Sequence, residues 1–256
     1  IHLLVEAKKL AFEDRARFYA DPDFYDAPID ELLSDEYADQ RCGLIQPSVA
    51  GKSVAAGNPA LGRGDTVYLT TADKDRNFVS LIQSNYWGFG SGLCPPGLGF
   101  CLQNRGELFD LSPHQANTYA PGKRPFHTII PAVVTRGGQP LLSFGLMGGD
   151  MQPQGHVQIL LNLFEFQMGL QEAGDAPRVR HAGSSTPTGK IADSAGGEVL
   201  LEPGISPEVA RELQGRGHSI TTGYDSFGGY QAIWYDRAND VYYGATESRK
   251  DGVALG

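Results

Sequence analysis

The sequence predicts an α/β fold in which β-strands are layered between helices. Near the start of the chain, apolar residues recur at helical spacing, at Leu3, Leu4, Ala7, Leu10, Ala11 and Phe18. Two β-rich runs, 66–72 and 78–84, flank the polar turn DKDRN and predict a hairpin. A long apolar helix and further strands follow, so helices would cover both outer faces of the strands.

The remaining elements follow from periodicity and turn residues. A second helix is predicted at 31–44, and 46–64 is a linker of Gly, Ser, Ala and Pro without periodicity. Further strands are predicted at 98–103, 132–135, 141–146, 230–235 and 241–245, and helices at 155–170 and 207–215. The helix 155–170 would pack one broad apolar face into the core, through Val157, Leu160, Leu161, Phe164 and Met168.

Composition limits the class of protein. A chain of 256 residues that is 41% apolar can bury a substantial core, as one large α/β domain or as a piece of a larger one. A net charge of −9 argues against nucleic acid or an anionic membrane as a partner. The chain begins inside a predicted helix with neither Met nor a cap, so we expect a piece of a longer protein.

We expect no cofactor, and cysteine and histidine spacing predicts no metal site. Cys42, Cys94 and Cys101 lack zinc-ligand spacing and are expected to be small buried hydrophobes, with a Cys94 to Cys101 bridge as the less favoured alternative. The histidines also lack ligand spacing. Only His127 lies in a segment, PGKRPFHT, that suggests a pocket.

Thr66 is the strongest candidate for a catalytic residue. It opens the first strand of the hairpin, directly after Asp65 and the linker, which is a setting for self-cleavage between Asp65 and Thr66. Cleavage would free an α-amino group beside the hydroxyl, so that one residue supplies both nucleophile and base. A threonine at a strand start is also common for purely structural reasons, and Thr70 and Thr71 have the same intrinsic reactivity.

The order of several blocks makes the functional interpretation specific. These blocks are DPDF, the strand from Thr66, DKDRNFVSL, FGSG, PGKRP, the GG pair, AGDAPRVRH and SRKDG. Together they resemble the γ-glutamyltranspeptidase family of N-terminal nucleophile hydrolases over essentially the whole chain. The resemblance implies a four-layer αββα sandwich and a proenzyme. In it, 1–65 would be the end of the large subunit with its linker, and 66–256 the small catalytic subunit.

The same resemblance assigns roles to individual residues. Thr66 matches the nucleophile, and Ser84 matches a hydroxyl that hydrogen-bonds it. Gly148 and Gly149 match a glycine pair whose backbone amides stabilise the oxyanion. Glycine suits that role because a backbone without Cβ allows a substrate to approach its N–H donors closely.

Departures from the family pattern concern the substrate-binding positions. Tyr86 occupies the place of a family asparagine two residues past Ser84, and Asn85 could substitute for it only through a bulge or a shifted backbone.

Two further departures concern how an acyl group would be held. Arg105 and Leu108 replace a glutamine and an aspartate that hold the α-amino group of a γ-glutamyl substrate. His127 and Thr128 replace a serine pair that binds the α-carboxylate. A cationic Arg105 would repel an ammonium group and favour a carboxylate.

Three functional hypotheses follow. The first is a γ-glutamyltransferase-like hydrolase that cleaves γ-glutamyl, glutathione-type or related acyl amides through an acyl-enzyme. The second is a glutaryl or cephalosporin-type acylase of the same family, which Arg105 favours. The third is an uncleaved, non-catalytic homologue. The expected partners are a small γ-glutamyl or dicarboxylic acyl amide, water or an amine acceptor, and the large subunit from the same precursor.

Overall fold

The computed structural model describes residues 1–52 and 66–256. Within these ranges, the helices are α1 (His2–Phe18), α2 (Ile29–Leu32), α3 (Asp35–Cys42), α4 (Met151–Leu160), α5 (Leu170–Asp175) and α6 (Pro207–Gly215). The strands are β1 (Thr66–Ala72), β2 (Phe78–Ser84), β3 (Ala132–Arg136), β4 (Gln139–Met147), β5 (Val179–Ala182), β6 (Glu198–Leu201), β7 (Ser219–Thr222), β8 (Gly229–Asp236) and β9 (Val241–Thr246). A 3-10 helix spans Arg105–Leu108, and a π-helical turn spans Leu161–Glu165.

The chain folds into two compact units. Of the described residues, unit 1 comprises 1–52, Asn104–His127 and His181–Gly223. Unit 2 comprises 66–103, Thr128–Arg180 and Tyr224–Gly256. The predicted division at Thr66 concerns processing of a precursor, and it stays a prediction.

Unit 2 is built in layers. Strands β1 and β2 form an antiparallel hairpin, and a second antiparallel sheet has the order β3-β4-β8-β9. The hairpin packs on β4 and β8, while α4 packs on β4 and α5 packs on β8 and β9. Unit 2 therefore contains a hairpin layer, a sheet layer and helices that contact the same sheet.

The alternation of side chains along β4 explains this layering. Leu142, Phe144 and Leu146 are fully buried and join Met151 and Ile159 of α4 in the main apolar cluster. These three residues share one face of the strand, because side chains two positions apart point the same way. Their burial against α4 holds the helix on the sheet.

Unit 1 combines α1 and α6 with the sheet β5-β6-β7, of which β6 and β7 run parallel. Its loops are held by a charged contact between two of the sequence blocks. The guanidinium of Arg124, from PGKRP, donates to Asp21 Oδ1 at 2.6 Å and to Asp23 Oδ2 at 2.7 Å, both in DPDF. The hydrogen bonds from Arg124 hold the pKa of the Asp21 carboxyl well below its ordinary value. These blocks therefore have a structural role in unit 1.

Most predicted elements are present, and the two hairpin strands have the predicted bounds. The strand predicted at 98–103 is wrong. Gly97 and Gly99 have φ of 79° and 72°, and Ser91 N–H donates to the carbonyl of Leu102, so the segment closes into a loop. The sequence did not predict the short strands β5, β6 and β7.

Two helix predictions also need correction. The helix predicted at 31–44 is divided, because Ser34 caps α3 by accepting the N–H of Tyr37 at 3.2 Å. The helix predicted at 155–170 instead begins at Met151 and leaves α-helical geometry after Leu160. Its predicted core face is only partly buried, since Val157, Leu161 and Phe164 are exposed.

The cysteines also differ from expectation. Cys94 and Cys101 form a disulfide, and Cys42 is a free, exposed thiol. The prediction of three separate buried hydrophobes is therefore wrong. Among the described helices, none combines the length and apolarity that crossing a bilayer requires.

Candidate active site

Thr66 and Ser84 face each other across the hairpin of unit 2. They are register partners of β1 and β2, and Thr66 Oγ1 donates a hydrogen bond to Ser84 Oγ at 2.9 Å. Directly opposed residues of an antiparallel pair are close enough for their side chains to interact. Both residues are half-buried. The hairpin thus places a hydroxyl pair at the end of its two strands. Asp65, the other side of the predicted cleavage site, lies outside the described residues.

The backbone after Ser84 leaves the strand at once. Tyr86 N–H donates to Ser84 Oγ at 2.9 Å, and Tyr86 has φ of 77°, a conformation uncommon for any residue but glycine. Strand alternation therefore no longer decides which face Asn85 occupies. The replacement of the asparagine of the γ-glutamyltranspeptidase pattern by Asn85, which needed a bulge or a shifted backbone, stays a prediction.

Gly148 and Gly149 connect β4 to α4. Their φ values are 137° and 57°, which a residue with Cβ adopts only at a cost. Their carbonyls accept the N–H groups of Met151 and Gln152 at 3.0 and 3.1 Å, in the turn that starts the helix. A Cβ on Gly148 would lie 3.1 Å from the Cα of Gly228. The pair is thus a tight turn at a helix N-terminus, where N–H groups and the helix dipole favour negative charge.

Polar and aromatic contacts attach the hairpin to β4. Thr70 Oγ1 and Ser143 Oγ are 2.6 Å apart, and a Cβ on Gly145 would lie 2.4 Å from the ring of Tyr68. Tyr68 Oη also shares a 2.6 Å hydrogen bond with Ser80 Oγ of β2. Burial raises the pKa of the Tyr68 phenol above its ordinary value, so it stays protonated at neutral pH. These contacts fix the strand that carries Thr66.

Of three further predicted substrate-binding residues, Arg105 and His127 lie in unit 1, and Thr128 is the next residue along the chain. Arg105 is only 3% exposed, lies in the 3-10 helix Arg105–Leu108 and is engaged in further interactions. His127 Nδ1 lies 2.7 Å from the carbonyl of Pro125, which can only accept, so the proton is on Nδ1. Neutral His127 therefore offers Nε2 as an acceptor, and it can donate from Nε2 only as imidazolium. The predicted role of His127 as a hydrogen-bond donor to a substrate carboxylate is therefore limited to its imidazolium form. The carbonyl of Thr128, which belongs to unit 2, accepts a hydrogen bond from Gln152.

A comparison with known families covers the whole chain. The family model described as gamma-glutamyltranspeptidase matches residues 1–256. The chain belongs to the gamma-glutamyltranspeptidase family. Its α/β fold is that of N-terminal nucleophile hydrolases, as the sequence predicted, and unit 2 supplies two β-layers and a helical layer of the αββα arrangement.

Relatives of this chain carry names that indicate different activities. It is 33% identical over 257 residues to the glutathione hydrolase-like YwrD proenzyme of Bacillus subtilis, covering 100% of the chain and 47% of that protein. It is 36% identical over 255 residues to the acylase ACY 1 proenzyme of a Pseudomonas species, covering 100% of the chain and 43% of that protein. A crystal structure of cephalosporin acylase from Bacillus halodurans superposes with a TM-score of 0.83 at 42% identity, over 98% of the chain and 44% of that structure. The chain thus spans less than half the length of these relatives.

Sequence reasoning missed a buried ion pair among the blocks that mark the gamma-glutamyltranspeptidase family. Arg178, from AGDAPRVRH, donates to Glu247 Oε2 at 2.8 Å and to the carbonyl of Phe227 at 2.8 Å. Arg249, from SRKDG, donates to Glu247 Oε1 at 2.7 Å. Phe227 precedes Gly228, against which Gly148 packs. The sequence signal for this ion pair was the presence of arginines in both AGDAPRVRH and SRKDG, two distant blocks.

Proposed function

We propose that this chain is the C-terminal part of a proenzyme that cuts itself before Thr66 and then cleaves acyl amides through that threonine. The first 65 residues would belong to the large subunit, and 66–256 would form the small subunit. The single observation that carries the proposal is the hydrogen bond between Thr66 and Ser84, because it orients a hydroxyl at the first residue of a strand. The proenzyme relatives in the family support the processing step.

The position of the glycine pair supports an oxyanion role. The contacts Thr70 with Ser143 and Tyr68 with Gly145 show that β1 and β4 run in opposite directions where they stack. The next step of two residues along each strand would bring Thr66 level with Met147. Gly148 follows directly. The amides of this turn are then the nearest main-chain donors that β4 can offer to a carbonyl attacked by Thr66.

The proposed reaction needs no group beyond these residues and water. The free α-amine of Thr66 accepts the hydroxyl proton while Oγ1 attacks the acyl carbon. Gly148 and Gly149 donate to the oxyanion, at a typical value of about 3 kcal/mol of barrier for each donor. The C–N bond then breaks as the amine leaves with a proton, and an ester on Thr66 remains. Water hydrolyses the ester to the free acid, or an amine acceptor takes the acyl group. Ser84 Oγ accepts from Thr66 Oγ1 before the attack, and its own hydroxyl can donate to Oγ1 once that proton has passed to the amine.

The acyl group is the second part of the proposal. A γ-glutamyl amide is the substrate type that the family name implies, and a glutaryl-type amide is the second candidate. Arg105 replaces a neutral glutamine of the family pattern, and a guanidinium favours a carboxylate over an ammonium group. Two acylases of 36% and 42% identity are consistent with the second candidate. We therefore expect a dicarboxylic acyl group without an α-amine to be preferred.

The test uses full-length precursor carrying Thr66→Ala, Thr66→Ser or Thr71→Ala. Thr71 is an exposed threonine of the same strand, so its substitution controls for the loss of any β1 hydroxyl. Activity is measured on γ-glutamyl and glutaryl p-nitroanilides. The proposal expects no turnover with Thr66→Ala, residual turnover with Thr66→Ser and normal turnover with Thr71→Ala. Full activity of Thr66→Ala would overturn it and would favour another nucleophile, while an inactive, uncut wild type would favour the non-catalytic hypothesis.

A further inference from the structure

Unit 1 contains a buried cluster of metal-ligand side chains that sequence spacing did not reveal. His2, Glu6 and His218 each offer one ligand atom, and these atoms all lie within 4.8 Å of one another. His2 Nδ1 is 2.7 Å from His218 Nε2, and His218 Nε2 is 4.0 Å from Glu6 Oε1. His2 and Glu6 are four residues apart and share one face of α1. His218 immediately precedes β7 and comes from the opposite end of the chain.

The contacts behind these atoms orient them toward a common point. His2 Nε2 lies 2.8 Å from the carbonyl of Gln46, which can only accept, so the proton is on Nε2. In neutral His2, Nδ1 then accepts from His218 Nε2 at 2.7 Å, and a metal ion would replace this hydrogen bond once His218 carries its proton on Nδ1 or releases it. Glu6 Oε2 accepts the N–H of Gly51 at 3.0 Å, which leaves Oε1 on the side of the histidines. Outer hydrogen bonds of this kind fix the tautomer and direction of metal ligands.

We propose that His2, Glu6 and His218 bind a divalent transition-metal ion, for which Zn²⁺ is the best chemical match. Two imidazole nitrogens and one carboxylate oxygen are a zinc donor set, with water or another ligand in the fourth position. Tetrahedral ligands at ~2.0–2.1 Å from zinc lie about 3.3 Å from each other. The observed separations bracket that value, so small side-chain rotations suffice. The proposal departs from the expectation of no metal site, which rested on spacing along the sequence alone.

A neighbouring lysine sets the expected strength of the site. Lys9 Nζ donates to Glu6 Oε1 at 2.8 Å and to the carbonyl of Gly51 at 3.0 Å, and Lys9 is only 3% exposed. A carboxylate oxygen has two lone pairs, so Glu6 Oε1 can accept from Lys9 and bind a metal at once. The ammonium nevertheless repels a cation in a low-dielectric surrounding. We expect reversible binding that is weaker than in an all-cysteine structural site.

The consequence of binding is structural. The ion would join the first turn of α1 to the residue before β7. Gln46 and Gly51 would be attached to the site through their hydrogen bonds to His2 and Glu6. Because a folded site binds and an unfolded chain does not, metal would stabilise unit 1. This role is separate from the proposed amide chemistry of Thr66, so either proposal can fail without the other.

The experiment uses full-length protein that has been treated with a chelator and dialysed. Zn²⁺ binding is followed by calorimetry, and Co²⁺ binding by the visible absorption of a tetrahedral ion. The variants are Glu6→Gln and His218→Gln, and His114→Asn is the control because His114 is exposed. We expect a Zn²⁺ site that His114→Asn preserves. Each ligand variant should lose more than the roughly 10–100-fold in affinity that removal of an outer-shell partner costs.

A second readout keeps the test decisive if a ligand variant does not fold. In unmodified protein, X-ray absorption of bound Zn²⁺ or Co²⁺ should show two imidazole ligands, and Zn²⁺ should raise the unfolding temperature. Failure of the unmodified protein to bind Zn²⁺ would overturn the proposal, as would equal binding by folded His218→Gln and wild type. Either result would identify the cluster as a hydrogen-bond network only.

Discussion

The ring of Tyr68 occupies the space in which a side chain at Gly145 would begin. A Cβ built on Gly145 would lie 2.4 Å from the Tyr68 ring, far inside van der Waals contact. The two residues come from β1 and β4, so this contact sets how closely the hairpin that begins at Thr66 packs on the sheet.

The first prediction concerns that contact. Gly145→Ala should lower the free energy of unfolding by roughly 1–3 kcal/mol, the usual cost of overpacking, and should slow turnover because β1 must shift. Gly215→Ala is the matched control, since a Cβ there meets nothing within 4 Å. Denaturant unfolding of both variants measures the difference. Equal stability of the two variants would show that the Tyr68 contact does not position β1.

The second prediction concerns the hydroxyl partner of Thr66. Ser84→Ala removes the acceptor of the Thr66 hydrogen bond and of the Tyr86 N–H. We expect kcat to fall by about 100-fold, at the low end of effects from positioned polar groups at a reacting centre, and self-cleavage to slow as well. Ser84→Thr keeps a hydroxyl and should retain most activity. An Ala variant as fast as wild type would remove Ser84 from the mechanism.

These positions show how far sequence could predict the site. Thr66 and Ser84 were predictable because strand pairing around a short polar turn determines which residues stand opposite each other. The turn at Gly148 and Gly149 was predictable from its two glycines. The contact of Tyr68 with Gly145 was not, because stacking of two sheets depends on tertiary packing that leaves no local period in the sequence.

The other contacts that sequence analysis missed join polar or charged residues that lie far apart in the chain. Arg178 and Glu247 are 69 positions apart, and His2 and His218 are 216 positions apart. Spacing rules for ligands and ion pairs apply to neighbours on one element, so they cannot find partners brought together only by the fold. The strand predicted at 98–103 failed for a local reason, since Gly97 and Gly99 turn the backbone.

The third prediction concerns the buried ion pair of unit 2. Glu247→Gln leaves the guanidinium of Arg178, whose side chain is only 2% exposed, without its counter-charge. The expected loss is about 3–5 kcal/mol, because an uncompensated charge would remain in the interior. Glu208→Gln breaks an exposed pair with Arg211 and should leave stability almost unchanged, because water and salt screen an exposed ion pair. Thermal unfolding of both variants gives the comparison, and similar losses would contradict the account.

The fourth prediction concerns pH. Burial lowers the pKa of His156 from 6.5 to about 4, and its Nε2 accepts the N–H of Leu146 at 3.2 Å. The unfolded chain therefore binds a proton between pH 6.5 and 4 that the folded chain does not. Stability from neutral His156 is complete above pH 6.5 and falls by about 3 kcal/mol as the pH drops toward 4.

The measurement is the free energy of unfolding against pH for wild type and His156→Gln, which keeps an acceptor for Leu146. The variant should lose part of the acid slope. A residual slope is expected because burial also lowers the pKa of His181, to about 2. His114→Asn should retain the wild-type slope, and an unchanged slope in His156→Gln would contradict the assignment.

The fifth prediction concerns substrate choice. Under the proposed assignment of Arg105 to the acyl group, wild type should cleave a glutaryl anilide faster than a γ-glutamyl anilide, because a guanidinium attracts a carboxylate and repels an ammonium group. Arg105→Gln should reduce that preference about tenfold or more, or about 1.4 kcal/mol in transition-state binding. Arg105→Lys keeps the charge and tests whether charge alone suffices. A strong γ-glutamyl preference in wild type would show that Arg105 does not select the acyl group.

The central claim is that Thr66 becomes a chain terminus, and intact mass with N-terminal sequencing of purified full-length precursor tests it most directly. The account predicts two fragments, the smaller of which starts at Thr66, and a single uncut chain for Thr66→Ala. An active wild-type preparation whose peptide bond between residues 65 and 66 remains unbroken would contradict it.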